Sequence, residues 1–147
     1  MASGVRKTDD LMGAVIERFG LPDQDLRSYG PLTLAYIGDA AYEIAVRSLL
    51  VQRGNAAVNK LHKRASKLSM ASRQSEMIRA IKADLTEEER AVYKRGRNAK
   101  SYTKAKHATA SEYSRATGFE AVVGYLYLKG EDDRIAELIR KGIERTK

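Results

Sequence analysis

No cysteine occurs at any of the 147 positions. That removes disulfides, thiol nucleophiles and thiolate zinc sites together. Only two histidines are present, His62 and His107. They are too few for a histidine-rich metal centre and read as ordinary surface residues. Two prolines punctuate the chain, and no stretch shows the apolar–polar alternation of a half-buried strand. The expected fold class is therefore all-α. Met1 to Asp10 lacks the apolar core of a signal peptide. The longest apolar run, Leu34 to Val51, carries Asp39, Glu43 and Arg47, which argues against a membrane span. The cytoplasm is the expected compartment. No internal repeat, low-complexity tract or long linker divides the sequence, so residues 1–147 are expected to form one domain.

What the chain has in excess is positive charge: 27 Lys and Arg against 19 Asp and Glu, a net charge of +8. Such a surface suits a polyanionic partner, and nucleic acid is the commonest one for a small basic domain. The charge is densest from Lys94 to His107. No apolar periodicity survives between Gly96 and Thr109, so this stretch reads as an exposed loop or a ragged helix end. Arg95, Arg97, Asn98, Lys100, Lys104 and Lys106 are the expected nucleic-acid contacts, made to backbone phosphates and, on an A-form RNA, to 2′-hydroxyls. A stripe from Lys60 to Lys67 is a weaker second patch.

The helices can be placed from their punctuation. Asp9 or Asp10 caps a first helix through Leu11, Val15, Ile16 and Phe19, ended by Gly20. Pro31 stands at or just before the first turn of a long second helix that stops near Gly54-Asn55. Apolar residues at three and four apart continue from Val58 to Leu85, with a break near Ser69 to Ser72. Thr86-Glu-Glu-Glu89 matches a capping box for a helix running toward Gly96. Helix resumes near Ser111, ends at Lys129-Gly130, and Asp132 or Asp133 caps a last amphipathic helix.

Two of these helices carry unexpected acids. Asp39, Glu43 and Arg47 stand four apart and so form one line on a helix that is otherwise apolar and expected to be buried. Gly38 sits beside Asp39. In Ala116 to Leu128 the interruptions are Thr117 and Glu120, on one face, which Gly124 continues; Gly118 stands two residues before the acid. Glycine inside a helix costs about 1 kcal/mol relative to alanine, and close approach of another backbone is one reason to accept it. Helices crossing at those glycines would bring Asp39 and Glu120 together. Two carboxylates in an apolar wall repel and resist desolvation. A hard divalent cation with oxygen ligands, Mg2+ above all, removes the conflict. Glu43 reads as half of a salt bridge with Arg47 or as a group behind the metal ligands. Thr117 could hold a metal-bound water or bond its own helix backbone. Tyr36, Tyr42, Tyr125 and Tyr127 read as core or interface packing.

Those residues resemble a known family. Leu34-Ala-Tyr-Ile-Gly-Asp-Ala-Ala-Tyr-Glu43 resembles the first acidic motif of the ribonuclease III catalytic domain, and Thr117-Gly-Phe-Glu-Ala-Val-Val-Gly124 its second. The likeness is greatest to the Mini-III branch, in which Tyr-Ile-Gly-Asp-Ala, Arg95-Gly-Arg-Asn-Ala-Lys100 and Tyr125-Leu-Tyr-Leu128 have close counterparts in the same order. The resemblance implies an all-α, homodimeric endonuclease domain without an appended double-stranded RNA-binding domain. It further implies magnesium-dependent cleavage of the base-paired stem of precursor large-subunit (23S) ribosomal RNA, with a ribosomal protein or pre-ribosomal particle as a further partner. Asp39 and Glu120 would be both catalytic and metal-binding. The wider family has a glutamate four residues before the first acid and an aspartate three residues before the second; here these are Ala35 and Thr117, and Mini-III proteins share the threonine. One firmly held magnesium is therefore expected rather than a two-metal clamp. The alternative is a non-catalytic RNA-binding protein on the same fold.

Overall fold

A computed structural model of the chain describes residues 10–100 and 108–146. Seven α-helices follow one another among them, with no strand: α1 Leu11–Phe19, α2 Pro31–Gln52, α3 Val58–Ser69, α4 Ala71–Ile81, α5 Glu87–Asn98, α6 Ala110–Leu128 and α7 Asp132–Glu144. Their ends follow from local chemistry. The Asp10 carboxylate accepts from Gly13 N–H at 2.8 Å to cap α1, and Gly20 closes it at φ 60°. Pro31 opens α2, where its missing N–H costs nothing. Met70, at ψ 148°, ends α3 and starts α4. Thr86 and Glu89 cap α5 reciprocally. The same device, Thr109 with Glu112, starts α6. α7 is entered through Glu131, with Asp132 and Asp133 in its first turn rather than at the cap.

α6 is the central helix. It packs along α2, and also against α5, α4 and α7. Phe119, Val122 and Val123 meet Tyr42 and Val46 of α2, Met77 and Ile78 of α4, and Leu138 of α7 in one core. Tyr42 and Phe119 meet edge to face, with ring centroids 5.7 Å apart. Two expectations are corrected. The helix carrying Asp39 is not buried all round: Tyr36 is 81 % exposed and Ile44 67 %, so one apolar face of α2 stays uncovered in a single chain. Helical periodicity says that such a face needs covering, but not that the same chain covers it. Gly96, in turn, does not end a helix. It lies inside α5, where an added Cβ would stand 2.9 Å from Gly118 Cα of α6. Arg95, Arg97 and Asn98 thereby form the last turn of α5, so for them the helix-end reading holds and the loop reading does not.

Among the described residues, no helix is long and apolar enough to cross a membrane.

Candidate metal and nucleic-acid site

The site begins with a backbone contact. A Cβ on Gly38 would fall 1.7 Å from the carbonyl oxygen of Glu120, and one on Gly124 would fall 1.9 Å from the carbonyl oxygen of Leu34. The two helix backbones touch, and only glycine permits it. The crossing partner on α6 is thus Gly124. Gly118 faces the other way, onto the Tyr93 ring of α5. Because α2 and α6 meet so closely, the residue after Gly38 and the residue four before Gly124 fall together. The Asp39 and Glu120 carboxyls stand within hydrogen-bond reach of each other.

Their environments differ. Asp39 is exposed and Glu120 is half-buried. Burial, then the charge and hydrogen bond of Asp39, push the Glu120 carboxyl up to about 8. Glu43 adds a smaller push in the same direction. The Gln74 amide of α4 faces this carboxyl and draws it back down, although the buried Gln74 Nε2 completes no well-aligned hydrogen bond. Among the described residues no arginine, lysine or histidine lies within ion-pair distance of either Asp39 or Glu120. Such a pair binds a proton or a cation.

The donor set fits magnesium. Magnesium keeps several waters and takes one or two carboxylates, whereas zinc prefers nitrogen and sulfur. The groups that act on the Glu120 carboxyl are the carboxyls of Asp39 and Glu43 and the Gln74 amide, all oxygen or amide. Among the described residues no third Asp, Glu, His or Cys completes a larger cluster.

The other expected residues divide. Glu43 pairs with Arg47 at 3.3 Å, four residues on. The buried Thr117 hydroxyl donates to the Tyr113 carbonyl of its own helix at 3.0 Å, so its proton is already committed. Arg95 donates to the carbonyl of Tyr29 at 3.1 Å, tying α5 to the connector before α2. Arg97 lies over the Tyr93 ring and donates weakly to Asn98 at 3.4 Å. Arg95 and Arg97 therefore serve different surfaces, as residues two apart on a helix must. Lys100 is exposed; Lys104 and Lys106 lie outside the described residues. Gln74 is the site residue that the sequence reading missed. Its signal was a polar residue on the face that Met77, Ile78 and Ile81 bury.

Comparison with known proteins identifies the family. The family model described as "Ribonuclease III domain" matches residues 32–131. The chain is similar to Mini-ribonuclease 3 of Clostridium tetani, at 51 % identity over 80 % of this chain and 78 % of that one. It is 45 % identical to Mini-ribonuclease 3 of Enterococcus faecalis over 84 % and 95 % of the two chains. A crystal structure of a protein from Fusobacterium nucleatum superimposes with a TM-score of 0.73 at 33 % identity, covering 82 % of this chain and 97 % of that one.

Proposed function

The chain belongs to the ribonuclease III family, in its Mini-ribonuclease 3 branch, and from that premise we propose that Asp39 and Glu120 hold the magnesium ion with which it cuts RNA. The chain is an endoribonuclease of double-stranded RNA, of a family that works with divalent metals. The observation that carries the metal assignment is two carboxyls held together at a backbone contact without a protein cation beside them.

Bound there, the ion would activate water and offset charge building on the phosphoryl oxygens. The protein's own part is positional. Asp39 faces solvent, where a phosphodiester arrives, and Glu120 anchors the site from inside. A Glu120 carboxyl near 8 keeps its proton at neutral pH until a cation displaces it. Gln74 supplies a neutral donor on the third side.

The proposed substrate is the base-paired stem of precursor 23S ribosomal RNA, cut to leave 5′-phosphate and 3′-hydroxyl ends, within a pre-ribosomal particle or beside a ribosomal protein. We place RNA contacts at Arg97, Asn98, Lys100, Lys104 and Lys106, with Arg95 beside them. The uncovered face of α2, with Tyr36 and Ile44, is proposed to meet the same face of a second copy, as a two-fold homodimer requires.

The test is cleavage of a long perfect RNA duplex, in magnesium and in EDTA, by the wild type and by Asp39→Asn. The wild type is expected to cut only with magnesium, and Asp39→Asn to lose more than about 100-fold in rate with binding kept. Cleavage by Asp39→Asn at the wild-type rate would refute the acid's role. Tight binding without cleavage in any divalent metal would favour the non-catalytic reading. Light scattering on the same samples should give twice the chain mass; an active monomer would exclude the dimer.

A further inference from the structure

Four cations gather round a side chain that the acid pair does not use. Tyr93 of α5 is only 2 % exposed. The Arg97 guanidinium carbon lies 5.6 Å from its ring centroid, and Lys82 Nζ, from the turn after α4, lies 5.7 Å from it. Arg115 of α6 reaches across to Ser75 of α4 at 2.8 Å, and Arg79 stands one turn after Ser75 on the same face of α4, so both add to the positive field at the Tyr93 hydroxyl. Three helices and a turn thus deliver positive charge to one place.

Among the described residues no ion pair neutralises it. Among the described residues none of these four side chains has a carboxylate within 4.0 Å, whereas Arg47, Arg134, Arg140 and Arg145 each do. Glu112, one turn before Arg115, is turned back to cap its own helix. Glu76 of α4 is exposed and makes no ion pair with them. A solvated face is the usual fate of clustered charge, and it would account for the exposed Arg79 and Lys82. It does not account for Arg115. That side chain is half-buried and donates through Nε to Ser75 Oγ at 2.8 Å and through Nη1 to Ser111 Oγ at 3.3 Å. Two hydroxyls fix the guanidinium and leave its charge intact. Fixing a long side chain costs rotamer freedom, which a purely solvated charge has no reason to give up.

We propose that Arg79, Lys82, Arg97 and Arg115 form a preformed anion site that takes one backbone phosphate of the duplex, away from the bond being cut. The inference rests on the duplex-RNA reading above and adds positioning residues to it. Guanidinium forks match phosphate oxygens in pairs. Arg115 and Glu120 share α6, five residues or about 7.5 Å of rise apart. Ser75, which anchors Arg115, follows Gln74, which faces Glu120. A phosphate held by this cluster is therefore indexed to the acid pair through two packed helices, and sets which phosphodiester reaches it.

The experiment measures duplex RNA binding by the full chain in EDTA, from about 50 to 200 mM salt, for the wild type and for the triple variant Arg79→Gln, Arg97→Gln, Arg115→Gln. Each phosphate neutralised contributes roughly one to the log–log salt slope. A shared site predicts a slope shallower by about one, so the wild type loses about threefold more affinity than the variant across that range. KM for cleavage should rise with kcat kept, and Arg115→Lys should recover part of the loss. The variant should stay folded with only a modest drop in melting temperature, because relief of like-charge repulsion is set against loss of the Arg115–serine hydrogen bonds and the Arg97–Tyr93 contact. An unchanged slope would overturn the proposal, and so would a slope shallower by about three, which means separate contacts. Inorganic phosphate that stabilises the wild type but not the variant, with equal duplex slopes, would assign the cluster to a free anion instead. If the wild type itself shows no preference for duplex RNA, the duplex reading fails and this proposal with it.

Discussion

Glu89 on α5 and Glu120 on α6 are both glutamates drawn into a helix-packed interior, and burial costs each of them hydration. At Glu89, 4 % exposed, burial raises the carboxyl, but Arg134 and Thr86 together more than offset it. Arg134 grips both oxygens at 2.8 and 2.9 Å, Thr86 N–H donates at 2.9 Å, and the carboxyl ends below its ordinary range. At Glu120 burial and Asp39 push the same way, and no cation answers. The first acid is finished by the protein. The second is left unfinished, and the unfinished one is where the chemistry is proposed. Side-chain type does not separate the two; the partner does.

The comparison can be broken first at the crossing. Gly38→Ala drives a methyl group into the Glu120 carbonyl. We expect a loss of more than about 4 kcal/mol, or failure to fold, with the Glu89 side untouched in any folded remnant. A Gly38→Ala protein melting within a few degrees of wild type would show that the backbones do not touch. The next test removes the answer at Glu89. Arg134→Met leaves a buried carboxylate alone and should cost about 3–5 kcal/mol in chemical denaturation. It should also reverse the pH trend of that residue. With its pKa lowered, Glu89 contributes stability that is full above its unfolded value near 4.5 and fades as pH falls through its folded value. A loss under about 1 kcal/mol would mean that the pair is not as buried as it stands here.

The smallest effect sharpens the contrast from the other side. With its pKa raised to about 8, Glu120 binds a proton more readily folded than unfolded. Its stabilising contribution is full below the unfolded value near 4.5 and is lost as pH rises through 8. Metal-free protein should therefore weaken from pH 5 to 8.5, by about 2–3 kcal/mol given the partial water contact of the pair. Glu120→Gln should flatten that slope and be the more stable protein at pH 8, while losing cleavage. Identical slopes for the two proteins in metal-free melting would remove the pair's repulsion from the account.

Much of this was readable beforehand, and the reasons are specific. The acids stood out because Asp39 and Glu120 interrupt apolar helices beside glycines, a pattern that side-chain packing alone does not require. The Thr86–Glu89 cap is legible because three acids follow the threonine directly, and Ala91, Val92 and Tyr93 come after them. The Thr109–Glu112 cap has the same spacing but sits behind a basic stretch without periodicity, which hid it. Gly96 looked like a stop because a glycine's packing role depends on the helix across from it, here Gly118 on α6. The open face of α2 was hidden for a related reason, since an apolar face does not say which molecule covers it. Gln74 lies far in sequence from both acid motifs, as Arg115 does from Arg79, Lys82 and Arg97, and only the folded chain brings these groups together.

The glycine contact between α2 and α6 also makes the spacing of the acids a limit rather than an adjustable distance. Bare backbones already touch at Gly38 and Gly124, so no substitution can draw the two carboxyls closer, and every larger residue there can only part them. Variation in the surrounding core can change stability without narrowing the gap. Drift at this pair of positions runs in one direction only, toward a wider and weaker grip on a small cation.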